Sequence, residues 1–186
     1  AWRDRRRRAV VGLRTDCHEG GHQTLPQAVG GAHVERRVGG TLQGEAVGKH
    51  LFLDFSTGDV VHIHLGLIGK IRFEPLAPPV GEVRLRVHNG VTAADLRGPQ
   101  WCRTITHDER DAVVEASGPD PLRADADSSR GYERLKRSGK SIAPLLMDQR
   151  IAAGVGNIFR AEVLHRHRID PTTPGKQVDR RTWDVI

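Results

Sequence analysis

The chain has 186 residues, a mass of 20.5 kDa, 37% apolar and 28% charged residues and a mean hydropathy of −0.47, which suits one large domain or two small ones. No apolar run approaches the roughly 20 residues of a membrane helix, no repeat has solenoid length, and the basic N-terminal run is not followed by the apolar stretch of a secretory signal. Two cysteines, Cys17 and Cys102, exclude a disulfide framework and a four-cysteine zinc site, so free thiols in a reducing compartment are expected. The net charge is +6 with a pI near 10.0, and it is unevenly spread. Residues 1–14 hold six arginines and one aspartate, residues 15–133 hold 12 basic and 17 acidic residues, and residues 134–170 hold 8 basic and 3 acidic ones. Basic charge gathered in two segments fits a polyanionic partner such as nucleic acid; a solvated basic face is the plainer alternative.

Residues 1–44 contain Arg5 to Arg8, several glycine pairs and no sustained hydrophobic period, and are expected to be degraded or disordered. From Lys49 onward the pattern sharpens. His50–Phe55 reads as a strand, Ser56–Asp59 as a turn and Val60–Leu65 as a second strand. In it Val61, Ile63, Leu65 and Leu67 share one face, and His62 and His64 share the polar one. Gly69–Phe73 continues or re-pairs the ribbon, and Ala77–Gly81 is a loop. Val83, Leu85 and Val87 alternate with Arg84, Arg86 and His88 ahead of an Asn89-Gly90 turn. Such alternation predicts antiparallel strands packed as a sandwich over residues 45–116. The period then lengthens. Asp108–Ala116 predicts a helix, Ser117–Pro121 a break, Tyr132–Arg137 a short helix, and Ile142–Arg150 a helix with Leu145, Leu146 and Gln149 on one side. Ala153–Gly156 interrupts it, and Asn157 stands where an N-cap belongs before Ile158–Arg166. The expected class is α+β, an incomplete N-terminal antiparallel β-sandwich followed by a helical domain over residues 117–186.

Leu146 to Asn157 is the strongest local pattern: helix, glycine turn, cap, helix. Gly154 and Gly156 permit close backbone approach, and the free N–H groups opening the next helix favour an anion. Arg150 and Arg160 flank the turn. A phosphate site and a plain capped helical hairpin both satisfy this pattern. His62 and His64, with no cysteine or acidic partner nearby in sequence, read as hydrogen-bonded or phosphate-facing rather than metal-bound, and no metal site is expected.

Asp148-Gln149 followed by Ala153-Gly-Val-Gly-Asn157 resembles the helix-two-turn-helix signature of the formamidopyrimidine-DNA glycosylase / endonuclease VIII family. The likeness runs on through Ala161-Glu162 to Ile169-Asp-Pro171. Gly48-Lys49-His50-Leu51 is similar to the family's lysine strand, and His64-Leu-Gly-Leu-Ile-Gly69 to its damage-facing loop. Asp95-Leu-Arg-Gly-Pro99 and Gly118-Pro-Asp-Pro-Leu122 follow in family order. The likeness covers about residues 45–175 and is nearest to the actinobacterial endonuclease VIII branch. It implies base-excision repair: removal of oxidised bases from double-stranded damaged DNA, with a β-elimination lyase acting at the abasic site on a flipped-out nucleotide. By the same resemblance Lys49 is the catalytic strand lysine and Asn157 holds phosphate, with Gly154 and Gly156 shaping the turn. Leu67 takes the place of an apolar wedge that fills the vacated stack, though a core role fits it as well. His64, Arg97 and Lys140 are further DNA-contact candidates. The implied setting is a monomer acting on DNA in the bacterial cytoplasm, without a membrane.

The chain also departs from the family. Its Schiff-base nucleophile is the amine of an N-terminal proline followed by glutamate, an α-amine titrating near about 8 where a lysine titrates near about 10.4. This chain opens Ala1-Trp-Arg-Asp. Glu19-Gly20 with His22, Thr24 and Leu25 echoes the family opening, which makes Glu19 the degraded glutamate and puts internal His18 in the proline's place. The family's four-cysteine zinc finger has no counterpart here, so no cofactor is expected in this chain. These departures predict truncation at both ends and impaired catalysis, with a non-catalytic DNA-binding remnant as the alternative.

Overall fold

A computed structural model describes residues 8–13 and 38–186, with side chains from residue 42 onward. The chain divides into two compact units. The first runs to Arg110 without residues 46–49; the second joins residues 46–49 to residues 111–186.

The first unit is built on antiparallel strands. They are β1 Arg8–Leu13, β2 Val38–Val47, β3 His50–Phe55, β4 Val60–His64, β5 Lys70–Pro75, β6 Leu85–His88, β7 Thr92–Arg97 and β8 Trp101–Ile105. Their order is β5-β7-β6-β1-β2-β3-β4-β8. Residues from both ends of this order meet in one core: Phe55, Val61 and Ile63 of β3 and β4, Leu85 and Leu96 of β6 and β7, and Cys102 of β8. The sheet therefore closes over itself as a sandwich. Two expectations change here. The stretch up to residue 44 contributes β1 and most of β2, and β1 pairs with β2 (Val10 opposite Gly39) and with β6 (Val11 opposite Val87). Backbone pairing on both sides supplies the order that this Gly- and Arg-rich sequence does not signal by period. Second, β4 has no polar exposed face: Val60, Val61, His62 and Ile63 are all buried. The β6–β7 hairpin turns at Asn89-Gly90-Val91, with Gly90 at φ +89° and the Asn89 Oδ1 accepting from the Val91 and Thr92 amides at 3.0 and 2.8 Å.

Helix α1, His107–Ala116, leads from the first unit into the second. There α2 (Ser128–Lys136), α3 (Ile142–Leu146), α4 (Asn157–Arg166) and α5 (Arg180–Val185) follow, with a short 3-10 turn at Gly175–Gln177. Their core is Leu135, Ile142, Leu145, Leu146, Ile151, Leu164, Val178 and Trp183. Helix α2 starts at Asp127, whose carboxylate accepts from the Ser129 amide, and α5 at Asp179, which accepts from Thr182. Helix α3 is shorter than its sequence pattern predicts. It stops at Leu146, where the Met147 and Asp148 amides tighten onto the Pro144 and Leu145 carbonyls at 3.2 and 3.0 Å. Gln149 is therefore a loop residue and not part of a helical face. None of the described helices is long and apolar enough to cross a membrane.

Candidate nucleic-acid interface

The second unit brings three sequence motifs onto one short loop, residues 147–156. Gln149 shapes it. Its Nε2 donates to the Met147 and Val155 carbonyls at 2.8 and 2.9 Å, and its Oε1 accepts from the Gly154 amide at 2.9 Å. Asp148 opens the loop as a carbonyl acceptor for the Ile151 and Ala152 amides. Its carboxyl is held below the usual carboxylate range, first by the hydrogen bond from the Arg150 guanidinium. The Gly118-Pro-Asp-Pro segment braces the loop from outside: Gly118 N donates to Gln149 O at 2.8 Å and Ala153 N to Pro119 O at 3.0 Å.

The tip of the β2–β3 hairpin lies directly on this loop. Gly48 has φ +57°, and a side chain there would place its Cβ 2.8 Å from Gly154 N and 2.9 Å from Ala153 Cβ. Only glycine admits that approach. Buried Asp120 fixes the tip, its Oδ2 accepting from Gly48 N at 2.8 Å and its Oδ1 from Leu122 N at 2.9 Å. The next residue, Lys49, thereby carries its ammonium across Gly156, with Nζ 3.6 Å from the position of a Cβ there. Gly156 is the N-cap of α4, in extended conformation and without a capping side chain. The sequence put Asn157 at the cap; instead it is the first helical residue, because Gly156 takes the non-helical position. The first amides of α4 are thus open beside a lysine ammonium, a pairing suited to an anion. Asn157 is exposed, and its Oδ1 accepts from Arg160 Nη2 at 2.6 Å. Lys140 is exposed in the turn before α3; its backbone bonds Ser138 and Gly175.

The other candidates belong to the first unit. Loop 65–69 is closed by Gly69 N donating to Leu65 O at 3.0 Å, and it presents Leu67 fully exposed (103%) beside Ile68 (80%). The core role for Leu67 is excluded. His64 accepts from Gly66 N through Nδ1 at 3.1 Å and stacks on Trp101 with ring centroids 4.5 Å apart. His50 Nδ1 and His62 Nε2 lie 2.9 Å apart in the same cluster. Burial first, then neighbouring His50, Arg103 and His64, lowers His62 to about 4; burial and the same kind of neighbours lower His50. Arg97 is engaged within its own unit, donating to the Val80 and Glu82 carbonyls at 2.7 and 3.0 Å and to Asp95 at 3.2 Å. Ala1, Cys17, His18 and Glu19 lie outside the described residues. Asp120 was not read from sequence as a site residue, its cue being its place between two prolines; Arg160 was read only as flanking the glycine turn, not as a partner of Asn157. A four-cysteine zinc site needs more thiols than this chain has, and among the described residues no three His, Cys, Asp or Glu side chains group as metal ligands.

A β-sandwich unit, a lysine-tipped hairpin and a helix–turn–helix loop with an open helix start define an α+β protein with an anion-suited helix terminus. Residues 117–186 match the family model described as the formamidopyrimidine-DNA glycosylase H2TH domain. Endonuclease 8 1 of Mycobacterium tuberculosis is 45% identical over 146 residues, covering 75% of this chain and 54% of that protein. The formamidopyrimidine-DNA glycosylase of Pseudoalteromonas atlantica is 30% identical over 143 residues, covering 73% and 52%. Among solved structures, the Lactococcus lactis formamidopyrimidine-DNA glycosylase bound non-covalently to DNA containing an abasic site superposes with a TM-score of 0.66 at 26% identity, covering 79% of this chain and 58% of that one. The chain belongs to the formamidopyrimidine-DNA glycosylase / endonuclease VIII family. It spans about half the length of the curated relatives it matches.

Proposed function

We propose that this chain grips double-stranded damaged DNA and carries the glycosylase and abasic-site lyase chemistry of base-excision repair. The observation that carries the reading is the Lys49 ammonium held across the open start of α4 by the contact of Gly48 with Asp120 and Gly154. In that role the α4 amides and Asn157 receive a backbone phosphate beside the lesion, and Lys49 balances charge or moves a proton at the sugar. Exposed Leu67 takes the gap left by the flipped nucleotide. Gly154 and Gly156 let the backbone approach, His64 and Lys140 add phosphate contacts, and Glu19 does the acid–base work. Arg97 is proposed as a contact to the opposite strand that must first leave its carbonyl partners. The protein works as a monomer on DNA in the bacterial cytoplasm.

Borohydride trapping on duplex DNA with an abasic site tests the chemistry. An amine condenses with the ring-opened C1′ aldehyde and releases water, and borohydride delivers hydride to the iminium carbon, which fixes the adduct. An adduct lost in Lys49→Ala makes Lys49 the nucleophile. An adduct retained in that variant assigns attack to the Ala1 amine or another lysine. No adduct from folded, DNA-binding protein overturns the lyase and leaves a non-catalytic DNA-binding protein. That second reading is favoured by one observation: Lys49, Asp120, Gly154 and Asn157, which would grip the phosphate, lie together in the second unit.

A further inference from the structure

We infer that Arg160 is a positioning residue for phosphate recognition, turning the Asn157 side chain into an obligate hydrogen-bond donor. An asparagine amide is ambident: its oxygen accepts and its nitrogen donates, and rotation about the last bond exchanges the two. A guanidinium only donates. The 2.6 Å contact from Arg160 Nη2 to the Asn157 side chain therefore fixes which end faces the arginine. The oxygen is held toward Arg160, which leaves the Nδ2 hydrogens for a ligand at the open start of α4. A phosphate oxygen only accepts, so the rotated amide would set two acceptors against each other.

A second observation points the same way. Arg160 Nε is buried and has no hydrogen-bond partner among the described residues, and no acidic side chain there forms an ion pair with this guanidinium. Its charge is spent on no carboxylate, and its Nη2 is directed at the Asn157 side-chain oxygen. Arg160 lies three positions after Asn157, which places both on one side of α4. The α4 cap itself offers no competing side chain, because Gly156 has none. The arginine thus selects the donor rotamer and adds positive potential behind it, without itself having to touch the anion.

The inference rests on the proposed phosphate site at the start of α4, and the test separates the two. Binding of the full chain to a fluorescein-labelled duplex carrying a tetrahydrofuran abasic analogue would be measured by anisotropy for the parent, N157A, R160M, R160Q and the N157A/R160M pair. Thermal unfolding would establish that each variant is folded. The expected result is about a tenfold loss for N157A and a similar loss for R160M, the scale of one charge-assisted hydrogen bond. The double variant is expected to be no weaker than N157A alone, because both changes remove one function. R160Q, whose neutral amide keeps a donor, is expected to recover part of the loss. Independent, multiplicative losses would overturn the positioning role and make Arg160 a direct contact. Loss in N157A without loss in R160M would overturn the inference and leave the phosphate site standing. No loss in N157A would overturn the site and the inference together. If R160M fails to fold, R160Q answers in its place: the side-chain amide resonances of Asn157, followed by NMR in the free protein, are expected to stay in place in R160Q, and their shift to solvent-exposed positions would overturn the role.

Discussion

Gln149 shows how one side chain can set a functional loop. Its amide meets three backbone groups, two carbonyls and the Gly154 amide, so its removal orphans all three at once. Gln149→Ala is expected to destabilise the protein by about 2 kcal/mol, read from the urea midpoint. Gln149→Glu should cost at least as much, because a carboxylate keeps the Gly154 bond but confronts two carbonyl oxygens. Sequence spacing concealed this role: with Leu145 and Leu146 it imitated a helical face. A different residue-scale consequence concerns acid. His62 sits near 4 in the folded chain against about 6.5 when unfolded, and His50 is lowered in the same direction. As pH falls from 6.5 toward 4 the unfolded chain takes up protons that the native one refuses. Stability is therefore full above 6.5 and declines through that window. Thermal midpoints taken at pH 7.5, 6 and 5 should fall accordingly, and His62→Phe should flatten the decline even if it changes the midpoint at pH 7.5.

At the scale of elements, helix α4 carries its own strain. Its C-terminus closes with Ile169 N bonding Leu164 O at 2.9 Å and Arg168 N bonding His165 O at 3.1 Å. That paired arrangement requires a left-handed residue, and Arg168 supplies it at φ +55°, the one non-glycine with positive φ among the described residues. Arg168→Gly is expected to stabilise the protein by about 1 kcal/mol in urea unfolding, because it keeps both bonds and relieves the Cβ. The elements differ in how far sequence disclosed them. Strand β6 was legible because Leu85 and Val87 alternate with Arg86 and His88, and β3 because its apolar run ends at turn residues. The burial of His62 in β4 was not, because the Trp101, His50 and Phe52 rings around it come from two other strands. Strand β1 carries no period of its own, and its place follows from partners 27 or more residues away in sequence. The glycine loop before α4 was legible as a turn, yet its cap fell one residue earlier than Asn157, since Gly156 and Asn157 both suit that position. Lys49 and Asn157 were named from motif alone. The approach of Lys49 to Gly156, next to Asn157, depends on Gly48, Asp120 and Gly154, which are far apart in sequence and met only in the fold.

For the whole molecule, charge and apolar surface divide the proposed work between the two units. Residues 134–170 concentrate basic charge, while residues 15–133 carry more acids than bases, and fully exposed Leu67, the proposed wedge, belongs to that second group. Phosphate contacts act on any duplex and release counterions, so their loss changes the salt dependence of binding. An apolar wedge replaces lost base stacking and releases none, so its loss changes discrimination instead. The two contributions are therefore separable by experiment. Lys140→Ala is expected to weaken intact and abasic-site duplexes by a similar factor and to reduce the slope of log affinity against log salt by about 1. Leu67→Ala is expected to leave that slope unchanged and to lower the preference for the abasic duplex several-fold. Both readings come from one set of anisotropy titrations between 50 and 200 mM salt, about the range over which such slopes are steep. If Leu67→Ala flattened the slope and Lys140→Ala altered lesion preference, the assignment of grip to the basic segment and of wedge to the 65–69 loop would be reversed.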